Sequence, residues 1–125
     1  MMISSQAFSS FAVDDLEKAR WFYGEILGLK VTDHPMGILE IHTKGNNPII
    51  IYPKDDFKAA NFTVLNFPVP DIEAAVEALM VKGIKFEQYS GNIHTDEKGI
   101  SRSKNGPSIA WFKDPAGNIL SVIES

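Results

Sequence analysis

Cysteine is missing altogether. That excludes a disulfide framework, a thiolate metal site and a thiol nucleophile. No stretch approaches the ~18 consecutive apolar residues of a membrane span. Basic residues are outnumbered, 12 lysines and arginines against 16 acids for a formal charge of −4, and they are scattered. A phosphate backbone therefore finds nothing to grip, and no nucleic-acid partner is expected. The first eleven residues lack a basic start followed by an apolar run, so no signal peptide is expected and the cytoplasm is the default. Against these absences stands a 44% hydrophobic content over 125 residues. That suits a single domain, residues 1–125, with a real core.

The chain repeats itself. Phe11, Val13, Asp15, Leu16, Glu17 and Ala19 recur at an offset of 56 as Phe67, Val69, Asp71, Ile72, Glu73 and Ala75. Past the helix the offset becomes 55, so Gly28, Lys30 and Val31 meet Gly83, Lys85 and Phe86. Each copy of such a repeat leaves an apolar face for its neighbour to cover. Unit one is expected over 1–54 and unit two over 61–125, joined by the polar segment 53–61, with function where the copies meet.

Within unit one, Ser5 to Val13 alternates with the period of a strand, placing Gln6, Phe8, Ser10 and Ala12 on one face. Asp14 or Asp15 caps a helix to Glu25 whose stripe is Leu16, Ala19, Phe22, Tyr23, Ile26 and Leu27. Gly28 supplies its left-handed stop. Strands follow at 29–32, 37–43 and 49–52. Unit two repeats the order: strand Phe62 to Val69, helix Asp71 to Lys82 buried through Ile72, Ala75, Val76, Leu79 and Met80, then strands at 84–89, 108–113 and 119–124. The polar, glycine-punctuated stretch from Ser90 to Pro107 is long enough to be a lid. The turn Asp114 to Asn118 closes the last hairpin. The fold class is α+β, with two βαβββ repeats forming curved antiparallel sheets around a cleft, and a ferredoxin-like βαββαβ sheet is the competitor.

These motifs, Val13-Asp14-Asp15-Leu16-Glu17-Lys18-Ala19, Phe22-Tyr23 with Leu27-Gly28-Leu29, Val69-Pro70-Asp71-Ile72-Glu73 and Phe112-Lys113-Asp114-Pro115-Ala116-Gly117-Asn118, resemble the vicinal oxygen chelate superfamily. That superfamily holds glyoxalase I, extradiol dioxygenases, fosfomycin resistance enzymes and bleomycin resistance proteins. The resemblance implies four metal ligands, two His and two Glu. Here the His positions are Phe8 and Val64, the terminal Glu position is Ser121, and the remaining Glu falls within Ile49, Ile50 and Ile51. No imidazole or carboxylate stands at any of them, so no metal and no cofactor are expected.

By strand parity and the resemblance, the expected ligand-binding residues are Phe8, Ser10, Val64, Asn66, Ile109, Trp111 and Ser121. Trp111 is either a stacking platform or core. Asn66, an amide on an apolar strand, bonds either a ligand or backbone. Glu40 and His42 share a face by alternation and form either an acid/base pair or a solvated contact. Catalytic residues are not assigned. Three functions follow: a metal-free protein holding a small apolar or aromatic compound, for resistance or sequestration; a lyase or isomerase of the same superfamily with metal-independent or relocated-metal chemistry, using Glu40 and His42; and a non-catalytic structural homodimer. A homodimer is expected in each case.

Overall fold

The structure, a computed structural model, describes residue 3 and residues 6–125. The chain divides into two compact units, one ending at Lys58 and the other beginning at Ala59. Among the described residues, no helix is long and apolar enough to cross a membrane.

The first unit runs β1 (Ser10–Val13), α1 (Leu16–Trp21), β2 (Lys30–His34), β3 (Ile38–His42) and β4 (Ile49–Pro53). Ser5, the expected start of the first strand, lies outside the described residues. The strands form one four-stranded sheet in the order β1-β4-β3-β2. Asp15 is the cap that starts α1, its carboxylate accepting from Lys18 N–H at 3.1 Å. Where a continuous α-helix to Glu25 was expected, the last turn widens into a π-helix over Phe22–Ile26, with Leu27 N–H reaching Phe22 O at 2.9 Å. The wider turn lets two consecutive aromatics, Phe22 and Tyr23, enter the core together with their rings 5.2 Å apart and edge-on. Gly28 then leaves the helix at φ 72°, a conformation glycine adopts without a Cβ penalty. Val13, Ala19, Phe22, Tyr23, Leu39, Ile41, Ile49 and Ile51 make the core between helix and sheet.

The second unit repeats the plan as β5 (Thr63–Val69), α2 (Ile72–Val81), β6 (Ile100–Ser101), β7 (Ile109–Lys113) and β8 (Ile119–Glu124), with sheet order β5-β8-β7-β6. Asp71 caps α2 through Ala74 N–H at 3.1 Å, the same device as Asp15. Two separate sheets, each carrying its own helix, replace the single ferredoxin-like sheet that was the competitor.

Each sheet is mixed, not wholly antiparallel as expected. β1 is parallel to β4, and β5 to β8, while the other pairs are antiparallel. The connectivity requires it. A helix crossover returns the chain so that the second strand points as the first does, and two antiparallel reversals then bring the fourth strand alongside the first in the same direction.

Three expectations in unit two need correction. The strand at 84–89 does not form; Glu87 N–H bonds Trp111 O at 2.8 Å, but the ladder position beside β7 belongs to Ile100 and Ser101. The apolar pattern there serves packing, since Phe86 is buried with its ring 5.5 Å from that of Phe112. The stretch 90–107 is not a free lid over its whole length, because Thr95 and Ile100 are buried within it. Met80, expected under α2, is 47% exposed, leaving Ile72 and Val76 as the buried residues of that helix.

Candidate functional site

In each sheet one face meets the helix and the other is left open. On the first sheet, buried Leu39, Ile41, Ile49 and Ile51 face the helix, so their alternate neighbours occupy the open face. One row there crosses all four strands as Thr32, Glu40, Ile50 and Ser10. Ile50 is thus the member of the Ile49 to Ile51 run that stands on the open side. Phe8, 66% exposed, lies on this side too. With Ile38, Pro48, Ile50, Met36 and Glu40 it lines a groove of about 430 Å³, within the ~300–1,000 Å³ typical of small-molecule sites.

The polar groups of this face are linked. Thr32 Oγ1 lies 3.3 Å from Glu40 Oε1 and 2.9 Å from His42 Nε2, so a single hydroxyl joins carboxylate and imidazole. Sequence reasoning paired Glu40 with His42 but missed Thr32, whose position follows only from the β2–β3 register. At the groove wall, His34 Nδ1 accepts the Met36 N–H at 3.2 Å.

On the second sheet the open face carries Trp111, Ser121, Asn66, Ile109 and Ile119. Trp111 pairs with Ser121, and Ser121 with Asn66, making one row. Ser121 Oγ donates to Asn66 Oδ1 at 2.5 Å. Trp111 Nε1 donates to Thr63 Oγ1 at 3.1 Å. Since β8 lies between β7 and β5, that bond lays the indole across β8 at the level of Ile119 and Ser121. Tyr89 meets the indole edge-on, ring centroids 5.6 Å apart.

Strand parity placed Val64 in this row, and the register corrects it. Thr63 pairs with Ile119 and Leu65 with the adjacent Leu120, so Val64 is the extra residue of a β-bulge. The bulge gives Thr63 the position beside Trp111 that an unbroken alternation assigns to Val64. Nothing in the local sequence signals it beyond a threonine among apolar neighbours. Of the seven expected binding residues, Phe8 and Ser10 belong to the first unit's open face and Asn66, Ile109, Trp111 and Ser121 to the second's.

The positions the resemblance implies for a metal do not fit one. Phe8 and the bulge residue Val64 carry no donor, Ile50 is aliphatic, and the Ser121 hydroxyl is fully buried and already bonded to Asn66. Among the described residues, no group of three or more His, Cys, Asp and Glu is arranged to hold a metal ion.

A protein of the Glyoxalase/bleomycin resistance protein/dioxygenase superfamily from Sphaerobacter thermophilus superimposes with a TM-score of 0.75 at 23% identity, over 100% of both chains. TnmS3, an antibiotic binding protein from Streptomyces sp. CB03234, gives 0.73 at 23% identity, covering 99% of this chain and 98% of its own. A glyoxalase family protein from Enterococcus faecalis gives 0.68 at 23%, covering 99% and 100%. At such identities these structures share the fold. No curated protein matches by sequence. A family model matches residues 6–122, nearly the entire chain, and the protein belongs to the Glyoxalase/Bleomycin resistance protein/Dioxygenase superfamily.

Proposed function

We propose that this chain binds a small, largely apolar or aromatic compound on its open sheet faces, without a divalent ion at the family's usual centre, and sequesters it as a cytoplasmic homodimer. The observation that carries this reading is the groove on the first sheet. Its apolar walls, Phe8, Met36, Ile38, Pro48 and Ile50, include side chains 66% and 79% exposed at Phe8 and Met36. Covering apolar surface of this kind is favourable by ~25 cal/mol per Å². TnmS3, of the same fold, is an antibiotic binding protein and lends the reading a precedent. Trp111, braced by Thr63 and Tyr89, is a rigid aromatic surface on the second sheet.

A second reading, a lyase or isomerase of the superfamily, is favoured by one observation, the Thr32 hydroxyl joining Glu40 to His42. In it the pair moves a proton to or from the bound compound. Loading the protein with nickel or zinc and measuring metal content beside turnover of methylglyoxal with glutathione separates the readings: a relocated-metal enzyme shows both, and a metal-independent one shows turnover without a bound ion. Sequestration expects neither stoichiometric metal nor turnover. A stoichiometric ion lost to chelator together with activity overturns it.

A further inference from the structure

Glu40 stands at the centre of the first sheet's open face. Its cross-strand neighbours are Thr32 and Ile50, and along β3 the same face continues with Ile38 and His42. The side chain is half-buried and forms one wall of the groove. An ionised carboxylate offers about four acceptor sites. The structure supplies one long contact, the Thr32 hydroxyl at 3.3 Å, which His42 Nε2 shares at 2.9 Å. Lys30, opposite His42 on this face, forms no ion pair with Glu40, and neither does any other basic side chain among the described residues.

The groove also carries the polar side chains of Gln6, His34 and Asn47, but none of them pairs with Glu40, and a ligand without a donor strips water from its carboxylate and returns nothing. A ligand bringing its own cation restores the lost interaction and gains a charge-assisted hydrogen bond. Phe8 at the same groove adds an aromatic face of the kind that attracts an ammonium group. We propose that the groove selects an apolar body bearing a protonated amine, with the ammonium on Glu40 and the hydrocarbon against Phe8, Ile38 and Ile50. The proposal rests on the binding reading above and adds the charge of what is bound.

Isothermal titration with three probes of one shape tests it: naphthylmethylamine, neutral naphthylmethanol and anionic naphthoate, at neutral pH and low salt. The amine should bind about tenfold tighter than the alcohol, with naphthoate weakest. Glu40→Gln should bring the ratio of amine to alcohol affinity to about one, and added salt should shrink it in the wild type. Equal binding of amine and alcohol to the wild-type protein overturns the charge selection while leaving the groove a binding site. An amine preference that survives in Glu40→Gln overturns the assignment to Glu40. Failure of all three probes to bind, with no shift of the Ile38 and Ile50 amide resonances, overturns the groove as a site and the proposal with it.

Discussion

At position 121 the side chain is a hydroxyl with no accessible surface, donating to Asn66 on the neighbouring strand beside the indole of Trp111. A carboxylate there replaces a hydroxyl that has no accessible surface and whose bonded neighbour, Asn66, carries no charge. Ser121→Glu is therefore expected to destabilise the protein by at least about 3 kcal/mol, measured by urea unfolding, and not to create a metal site on its own. Thr63→Val removes the acceptor of the Trp111 N–H and should cost about 1 kcal/mol, with a shifted indole N–H resonance in the proton NMR spectrum. Asn66 and Ser121 were both legible in the sequence as polar residues on apolar strands, but their bond to each other was not, because it depends on the β5–β8 register. Thr63 was illegible for a sharper reason: parity counting assumes an unbroken ladder, and the bulge at Val64 breaks it.

Among the elements, the segment from Thr95 to Ser101 departs furthest from what its polar composition suggests. Thr95 Oγ1 accepts from Tyr89 N–H at 2.8 Å, and the Asp96 carboxylate accepts from the N–H groups of Lys98 at 2.9 Å and Ile100 at 3.0 Å. Lys98 then ties the segment to α2 through Glu77 at 2.7 Å, and Arg102 does so through Glu73 at 3.2 Å. Composition reports the polarity of such residues, not that their polar groups are satisfied by one another. Helix starts were legible because an aspartate accepting from the third residue on is a local device, repeated at Asp15 and Asp71. Gly99 fixes the tightest point, with φ at +83° and a Cβ that would fall 2.7 Å from Phe86 Cβ. Gly99→Ala is expected to destabilise by on the order of 3 kcal/mol, read as a lowered urea midpoint. Burial pushes the Asp96 carboxyl up, but the Ile100 and Lys98 N–H groups with Arg102 hold it below the usual aspartate value. A depressed folded value means the contribution is present above the unfolded value of about 3.9 and is lost as pH falls through the folded one. Amide protection of Ile100 should therefore decline in acid below about pH 4, and Asp96→Asn should flatten that dependence.

For the whole molecule, the repeat was the most informative feature of the sequence. It gave two βαβββ units and, with the Asp114 to Asn118 turn, the family, because the matched residues are caps, helix stops and turns that the backbone geometry requires. Asp114 illustrates this: buried, it accepts from Asn118 N–H at 2.8 Å and Ala116 N–H at 3.0 Å. What such residues do not encode is chemistry, and the positions that the resemblance implies for metal ligands hold Phe8, Val64, Ser121 and a member of the Ile49 to Ile51 run. Apolar side chains left at the surface, Trp21 at 54%, Phe62 at 64% and Val81 at 88% exposure, support the proposed homodimer. Sedimentation at micromolar concentration should accordingly show a particle near twice the 13.8 kDa of one chain. Metal-free capture of a small compound on the open face of the first sheet is tested most directly by an amide-resolved NMR titration with naphthylmethanol, run with and without a chelator. The expected result is a saturable shift centred on Ile38, Glu40 and Ile50 that the chelator leaves unchanged; shifts that vanish with the chelator, or no shifts at these amides, would contradict it.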